Sequence, residues 1–108
     1  MPVLGPFLGV LNAMIRKLIV FTQENCPNCP VAKKSAEKVC EELKIPFEIV
    51  DVKELSEELE FELLKNQIYV VSTPTIVAVR DDDMKALVLG EPVSYEELKN
   101  MLMNIMER

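Results

Sequence analysis

The chain has 108 residues, which suits one compact domain with a single core. Hydrophobic residues make up 49% of it and charged residues 28%, a balance typical of a globular protein rather than a disordered or fibrous one. The net charge of -6 argues against nucleic acid as a partner, because a phosphate-binding surface needs clustered Lys and Arg. There is no His, which excludes Ser-His and Cys-His nucleophile pairs and mixed Cys/His metal sites.

Residues 1–16 are a mostly apolar amino-terminal extension, and residues 17–108 are the predicted domain. The positive charges at Arg16 and Lys17 follow the apolar run, whereas those of a signal peptide precede it. The run is also shorter than the roughly 20 apolar residues of a membrane helix, so we expect no membrane segment. Three interpretations stay open: a packed extension, a dimer contact, or sequence upstream of a true start at Met14. We favour the last two.

Cysteine carries whatever catalytic chemistry this His-free chain performs. The chain has three cysteines, Cys26, Cys29 and Cys40, whereas a secreted disulfide scaffold normally has an even number at higher density. We therefore expect a reducing compartment, namely the cytoplasm.

The first half of the domain has the pattern of a β-α-β unit. Lys17–Thr22 is an apolar and β-branched run, typical of a strand buried on both faces. In Val31–Leu43 apolar residues recur every three or four positions, which predicts an amphipathic helix. Ile45-Pro46 ends this helix, and Phe47–Val52 predicts a second strand. This order favours a parallel strand pair with a right-handed crossover.

The stretch Leu55–Lys65 predicts a second, acidic helix. It begins near Ser56, and Glu57 and Glu58 follow in the first turn, where carboxylates interact favourably with the helix dipole. Four leucines are predicted to form its inner face: Leu55, Leu59, Leu63 and Leu64. We interpret its glutamates as a solvent-exposed face.

The last third predicts a hairpin and a closing helix. Ile76–Val79 and Ala86–Leu89 are apolar runs on either side of the polar turn Arg80–Asp83, which predicts two antiparallel strands. Ser94 and Glu97 have the spacing of a capping box and begin the last helix. The predicted element order is therefore β-α-β-α-β-β-α.

The segment Cys26-Pro27-Asn28-Cys29-Pro30 lies between the first strand and the first helix. Two thiols at this spacing can close a small disulfide ring, and a helix amino terminus lowers the pKa of a thiol beside it, so the pattern predicts dithiol chemistry. We expect Pro27 to set φ at the first helical position and Asn28 to satisfy local backbone groups. Pro30 would remove the first hydrogen bond of a helix that began at Cys26, so we expect an irregular first turn or a later start.

The Cys-x-x-Cys after the first strand, together with Thr73-Pro74-Thr75 before the third, resembles the thioredoxin/glutaredoxin superfamily. The resemblance covers the chain from about Lys17 to Met106. It implies an α/β, thioredoxin-like fold with a four-stranded mixed sheet flanked by three helices. It also implies that the Thr73-Pro74 peptide bond is cis, the minor isomer of such bonds.

The resemblance also implies roles for the site residues. Cys26, exposed beyond the helix end, would be the attacking thiol, and Cys29 would resolve the mixed disulfide. Pro27 and Asn28 would tune this step. Thr73 and Pro74 would face the dithiol, and the backbone of Thr73 would pair with an extended substrate segment by strand addition.

The motif is similar to those of small archaeal glutaredoxin-like proteins, because a second proline follows it at Pro30. The Gly-Gly and Asp of a glutathione-binding glutaredoxin are absent from the corresponding stretch, Gly90–Ser94. The chain also has no Trp, which a thioredoxin usually places before its motif. We therefore favour protein disulfides over glutathione as substrates.

Other reactive side chains are interpreted as structural. Cys40 follows Cys29 by three helical turns, about 16 Å of helix, so no disulfide can join them and we expect Cys40 to be a core residue. Lys33 and Lys34 are interpreted as solvated residues of the first helix. The aspartates of the Arg80–Asp83 turn are interpreted as solvated, because a calcium site needs more oxygen ligands.

The leading hypothesis is a thiol-disulfide oxidoreductase that acts on protein disulfides and is regenerated by an unidentified reductase. No cofactor is expected beyond the redox-active Cys26–Cys29 disulfide. One alternative is a metal- or cluster-binding module, but two sulfurs fall short of the four ligands of a structural zinc site, so a dimer or external ligand would have to complete it. The other is a non-catalytic adaptor, which has no need of both cysteines. We expect a monomer or weak dimer without nucleic acid or membrane partners.

Overall fold

A computed structural model describes residues 15–106 of the chain. Its elements, in chain order, are β1 (Lys17–Thr22), α1 (Cys29–Leu43), β2 (Phe47–Asp51), a 3-10 helix (Val52–Glu54), α2 (Glu57–Lys65), β3 (Thr75–Val79), β4 (Met84–Leu89) and α3 (Tyr95–Met106). The predicted element order is confirmed. The interpretations of the amino-terminal extension concern residues 1–14, which lie outside the described residues, and they stay predictions.

The four strands form one mixed sheet in the order β2-β1-β3-β4. β1 pairs in parallel with β2, and Thr22 lies opposite Asp51. β1 pairs antiparallel with β3, and Phe21 lies opposite Thr75, while β3 and β4 form the predicted antiparallel hairpin. β1 and β2 therefore end, and β3 begins, at the same end of the sheet. We call this the dithiol end, because the Cys26 loop follows β1 there.

One face of the sheet is covered by α1 and α3. Alternate residues of β1, Leu18 and Val20, point to this face, because successive side chains of a strand lie on opposite sides. The helices contribute most of the remaining buried side chains: Ala32, Ala36, Val39, Cys40, Leu98, Leu102 and Ile105. A buried hydrogen bond joins the two helical regions, since Ser35 Oγ donates to the Val93 carbonyl at 2.9 Å. We call this the two-helix face.

The opposite face is covered by α2 and the segment after it. Ile19 and Phe21 of β1 pack there with Val77, Leu63 and Ile68. Leu63 is the only buried residue of α2. The prediction that Leu64 lies on the inner face of this helix is wrong, because its side chain is exposed. We call this the one-helix face.

Several element boundaries differ from the prediction. β2 ends at Asp51 rather than Val52, because the Asp51 carboxylate accepts the Lys53 N–H at 2.9 Å and caps the 3-10 helix. β3 begins one residue early, at Thr75, and β4 two residues early, at Met84. The cap at Ser56 is confirmed, since its Oγ accepts the Leu59 N–H at 3.1 Å.

The predicted capping box of the last helix is also confirmed. Ser94 Oγ accepts the Glu97 N–H at 3.1 Å, and the Glu97 carboxylate accepts the Ser94 N–H at 3.0 Å. These two bonds satisfy backbone donors that the start of a helix otherwise leaves unpaired. α3 therefore begins where the spacing of these two residues predicts.

Candidate active site

The loop between β1 and α1 carries the two cysteines of the motif. β1 ends at Thr22, and Glu24 and Asn25 form a turn in which Asn25 has φ of 59°. Asn tolerates this left-handed conformation better than most residues. The turn redirects the chain so that Cys26 follows directly and α1 begins three residues later.

Cys26 and Cys29 are joined by a disulfide, with Cα atoms 5.4 Å apart. The Cys29 N–H donates to the Cys26 carbonyl at 3.3 Å, which closes the turn between them. Cys29 is 3% exposed, whereas Cys26 is half-buried. Cys26 is thus the more accessible sulfur, as expected for an attacking thiol, and its role and that of Cys29 stay predictions.

The start of α1 differs from the prediction at Pro27 and Asn28. The helix begins at Cys29, so Pro27 lies outside it and is not the first helical residue. Asn28 is the N-cap, but its side chain accepts no capping hydrogen bond; instead its carbonyl accepts the Ala32 N–H at 3.2 Å. Pro30 lies in the first turn, where a missing N–H costs no helical bond, which agrees with the expected later start.

The Thr73-Pro74 peptide bond is cis, as the resemblance implied. The loop around it is held by two hydrogen bonds: Thr75 Oγ1 donates to the Ser72 carbonyl, and the Gly90 N–H donates to the Pro74 carbonyl, both at 2.7 Å. Because Thr75 lies opposite Phe21 of β1, this loop and the Cys26 loop share the dithiol end. Pro74 is buried and Thr73 is half-buried.

A cavity of about 650 Å³ lies beside the disulfide. Its lining includes Cys26, Pro27 and Cys29, but neither Thr73 nor Pro74. It also includes Asp51, which the sequence reasoning did not single out. The signal was present, since parallel strands that end together bring the residue at the end of β2 beside the loop after β1. Glu24 lines the cavity as well and forms an ion pair with Lys53.

Lys34 is exposed, as predicted for a solvated residue, whereas Lys33 is partly exposed. Lys33 is half-buried and lines the same cavity as both cysteines. It follows Cys29 by four residues, so the two side chains lie on the same side of α1. The residues that line this cavity therefore include one cationic side chain.

Cys40 is separate from this site and is free and buried, as predicted. It packs in the core of the two-helix face, and this burial raises the pKa of its thiol to about 11. A thiol with this pKa is almost entirely protonated near neutral pH and is a poor nucleophile. The structure thus separates one inert cysteine from the disulfide pair.

Across residues 15–106, no three or more Cys, Asp or Glu side chains are grouped to hold a metal ion. In the Arg80–Asp83 turn, Asp83 is not merely solvated as expected: its carboxylate accepts two hydrogen bonds from the Arg80 guanidinium, each 2.6 Å long. These bonds lower the pKa of Asp83. Among the helices of the described part, none combines the length and apolar character needed to cross a bilayer.

Comparisons with known proteins identify the fold. No protein-family model matches the chain, and no curated protein matches it. Several solved structures do. Thioredoxin 1 from Thermosipho africanus TCF52B is 17% identical, with a TM-score of 0.60 over 84% of this chain and 94% of that one. Thioredoxin from Trypanosoma brucei brucei is 23% identical, with a TM-score of 0.58 over 96% and 86%. The chain has a thioredoxin-like fold.

This thioredoxin-like fold is shared with a further redox protein. The C-terminal domain of Neisseria meningitidis DsbD, in its reduced form, is 16% identical and has a TM-score of 0.58 over 94% of this chain and 95% of that one. The predicted fold class is confirmed. The expected likeness to small archaeal proteins is not confirmed by these comparisons.

Proposed function

We propose that this thioredoxin-like protein is a thiol-disulfide oxidoreductase that reduces protein disulfides. The observation that supports the proposal is the disulfide between a partly exposed cysteine, Cys26, and a buried one, Cys29, at the amino end of α1. A purely structural disulfide has no need of this difference in exposure. An exchange reaction needs this difference, because the substrate must reach one sulfur while the other stays shielded until the second step.

The proposed reaction has two steps that together move two electrons. In the reduced protein, the Cys26 thiolate attacks one sulfur of the substrate disulfide, and the other substrate sulfur leaves as a thiolate that takes a proton from water. Cys29 then loses its proton and attacks Cys26, which forms the Cys26–Cys29 disulfide and releases the second substrate thiolate. The substrate gains two thiols, and the protein loses two.

We assign the remaining predicted residues to substrate binding and tuning. The backbone of Thr73 would pair with an extended substrate segment, and Pro74 would hold the loop that carries it. Pro27 and Asn28 would shape the turn around the sulfurs. Lys33 joins this set, because its side chain lines the same cavity as Cys26, where the ammonium group would stabilise the attacking thiolate.

We propose that electrons come from a reductase that itself carries a dithiol or an equivalent two-electron donor. Glutathione is not the proposed partner, because the stretch Gly90–Ser94 lacks the Gly-Gly and Asp of a glutathione site. Among cellular compartments the cytoplasm suits a protein that leaves Cys40 as a free thiol. The proposed form is a monomer or weak dimer.

Mutant trapping tests the exchange reaction. Reduced Cys29→Ser protein is mixed with insulin, a defined disulfide protein, quenched with acid and examined by mass spectrometry. We expect a mixed disulfide between Cys26 and an insulin chain, and a reductant should cleave it. Cys40→Ser in the same assay should turn over like the unmodified protein, and Cys26→Ser should form no adduct. An absence of adducts with folded Cys29→Ser protein would show that the exchange mechanism is wrong.

A further inference from the structure

Four large apolar side chains are exposed together on the one-helix face. Phe61, Leu64, Tyr69 and Val71 are 61%, 49%, 60% and 86% exposed. Leu64, Tyr69 and Val71 line one shallow cavity of about 210 Å³, and Phe61 precedes Leu64 by one helical turn. Single exposed apolar residues need no explanation, but a contiguous group on a small protein commonly marks a binding surface. We call these four residues the apolar strip.

The strip leads toward the proposed active site. α2 ends far from the dithiol end, since Asn66 Oδ1 accepts the Met84 N–H at 3.1 Å and Met84 begins β4 at the opposite end of the sheet. The chain then returns across the one-helix face through Tyr69 and Val71. Val71 is two residues before Thr73, so the strip reaches the loop that carries Thr73 and Pro74. A segment bound at Thr73 would continue onto the strip.

The border of the strip is acidic. The nine residues of α2 include four glutamates and one lysine. Glu60 lines the same cavity as Leu64. The single lysine of α2, Lys65, contacts two residues of its own helix. Its ammonium group lies 3.9 Å from the Glu62 carboxylate and 5.7 Å from the centre of the Phe61 ring. An occupant of the strip would therefore meet apolar surface with negative charge beside it.

We propose that the apolar strip binds the disulfide-bearing segment of a basic protein substrate, with apolar side chains on the strip and Lys or Arg beside the glutamates of α2. The inference rests on the proposed function and specifies its substrate class. Charge complementarity selects this occupant, because opposite potentials speed the encounter and like charges oppose it. A second copy of this chain is disfavoured for the same reason, since each copy has a net charge of -6 and the same acidic border.

The test measures how fast the reduced protein reacts with three disulfides. The first is a homodimer of a peptide whose single Cys is flanked by Leu, Tyr, Lys and Arg. The second has Glu in place of Lys and Arg. The third is 2-hydroxyethyl disulfide, which is small and neutral. Samples are quenched with acid and separated by chromatography to give second-order rate constants.

We expect the basic peptide to react about tenfold faster than the acidic one, a ratio that corresponds to about 1.4 kcal/mol. The ratio should shrink as salt is raised, because salt screens exposed charges. Leu64→Ser and Tyr69→Ser should each slow the basic peptide about fivefold, from the loss of part of an apolar contact, and leave 2-hydroxyethyl disulfide unchanged. Glu60→Gln combined with Glu62→Gln should lower the ratio of basic to acidic peptide.

Met103→Ser is the matched control, because Met103 is 40% exposed on α3, away from the strip. It should change none of the three rates. Equal rates for strip variants and unmodified protein with the basic peptide would overturn the inference, and so would a dimer in sedimentation that Leu64→Ser dissociates. No reaction of the unmodified protein even with 2-hydroxyethyl disulfide would instead overturn the proposed function.

Discussion

The two faces of the sheet are covered unequally. On the two-helix face, α1 contributes four residues to the buried core cluster and α3 three, and these pack with alternate residues of β1 and β3. On the one-helix face, α2 contributes a single buried residue, Leu63. The same central strands, β1 and β3, therefore have a thick apolar layer on one side and a thin one on the other.

This difference separates stability from binding. The two-helix face holds Cys40 in apolar surroundings that keep its thiol protonated. The one-helix face leaves Phe61, Leu64, Tyr69 and Val71 in contact with water, at a cost that a purely structural role does not explain. The dithiol lies at the end of the sheet that both faces share. We expect substitutions on the first face to change folding and those on the second to change substrate choice.

The largest expected effect comes from matched Leu→Ala substitutions on the two faces. Leu102 is fully buried on the two-helix face, whereas Leu64 is half exposed on the other. Leu102→Ala should lower the free energy of unfolding by about 2–5 kcal/mol, because it leaves a cavity in a packed core. Leu64→Ala should change it by no more than about 0.5 kcal/mol. Urea unfolding followed by circular dichroism measures both. Equal losses would show that the two faces carry equal shares of the core.

Sequence patterns were sufficient for the element order because each pattern is local. The apolar run of β1, the three- and four-residue spacing in α1 and the capping box at Ser94 and Glu97 are all readable without the fold. The failure at Leu64 has a physical reason. Leu55, which precedes α2, and Leu59 and Leu63 within it are spaced by four residues and pack against the sheet, whereas Leu64 lies about 100° further around the helix than Leu63. Only packing against the sheet decides which leucines are covered.

The two cysteines of the candidate site could be predicted from the sequence, but the residues around them could not. The spacing of Cys26 and Cys29 identified the disulfide, and the free state of Cys40 followed from distance along the helix. Asp51 was not recognised as a neighbour of the sulfurs, because it comes from β2 and its approach to the Cys26 loop depends on how β1 and β2 pair. Lys33 follows Cys29 by four residues on α1, but the exposure of its side chain depends on tertiary packing, which local spacing does not encode.

Cys40→Ser is expected to have the next largest effect and sharpens the account of the two-helix face. A hydroxyl in this apolar core should lower the free energy of unfolding by roughly 1–3 kcal/mol, whereas Cys40→Ala, which brings no polar group, should cost less. In the unmodified protein the raised pKa of Cys40 makes a contribution to stability that is present below about pH 8.5 and is lost as pH rises toward the folded value of about 11.

Thiol titration with a chromogenic disulfide reagent checks the inert state of Cys40. After reduction of the Cys26–Cys29 disulfide, the native protein should release two equivalents of chromophore quickly at pH 7, one when the more exposed Cys26 attacks the reagent and one when Cys29 resolves the mixed disulfide. Cys40 should react only in denaturant. Three fast thiols in the native state would contradict the burial of Cys40. The Cys40→Ala variant should show two fast thiols with or without denaturant.

A pair of Ser→Ala substitutions compares hydrogen bonds on the two faces. Ser35→Ala removes the buried bond to the Val93 carbonyl and should cost roughly 1–3 kcal/mol, because it leaves that acceptor unsatisfied. Ser56→Ala removes the exposed cap of α2 and should cost about 1 kcal/mol. Hydrogen exchange distinguishes them further: Ser56→Ala should raise exchange in α2 alone, whereas Ser35→Ala should raise it throughout the core. Exchange that spreads over both faces in the two variants would mean that the sheet couples them.

The smallest expected effect lies on the outside of the two-helix face, where Glu42 of α1 binds α3. Its carboxylate accepts hydrogen bonds from Lys99, at 2.7 Å, and from the Tyr95 hydroxyl, and these lower the pKa of Glu42. A carboxyl with a lowered folded pKa stabilises the protein above its unfolded value, about 4.3, and this contribution is lost as pH falls through the folded value. The same contacts raise the pKa of Lys99 and Tyr95, so the stability that these two groups contribute is lost only as pH rises to high values.

Glu42→Gln should therefore lower the melting temperature at pH 7 and leave it nearly unchanged at about pH 3, where the unmodified carboxylate is itself protonated. Melting curves of both proteins across this range give the difference, and a difference that stays constant with pH would assign the contact to packing rather than charge.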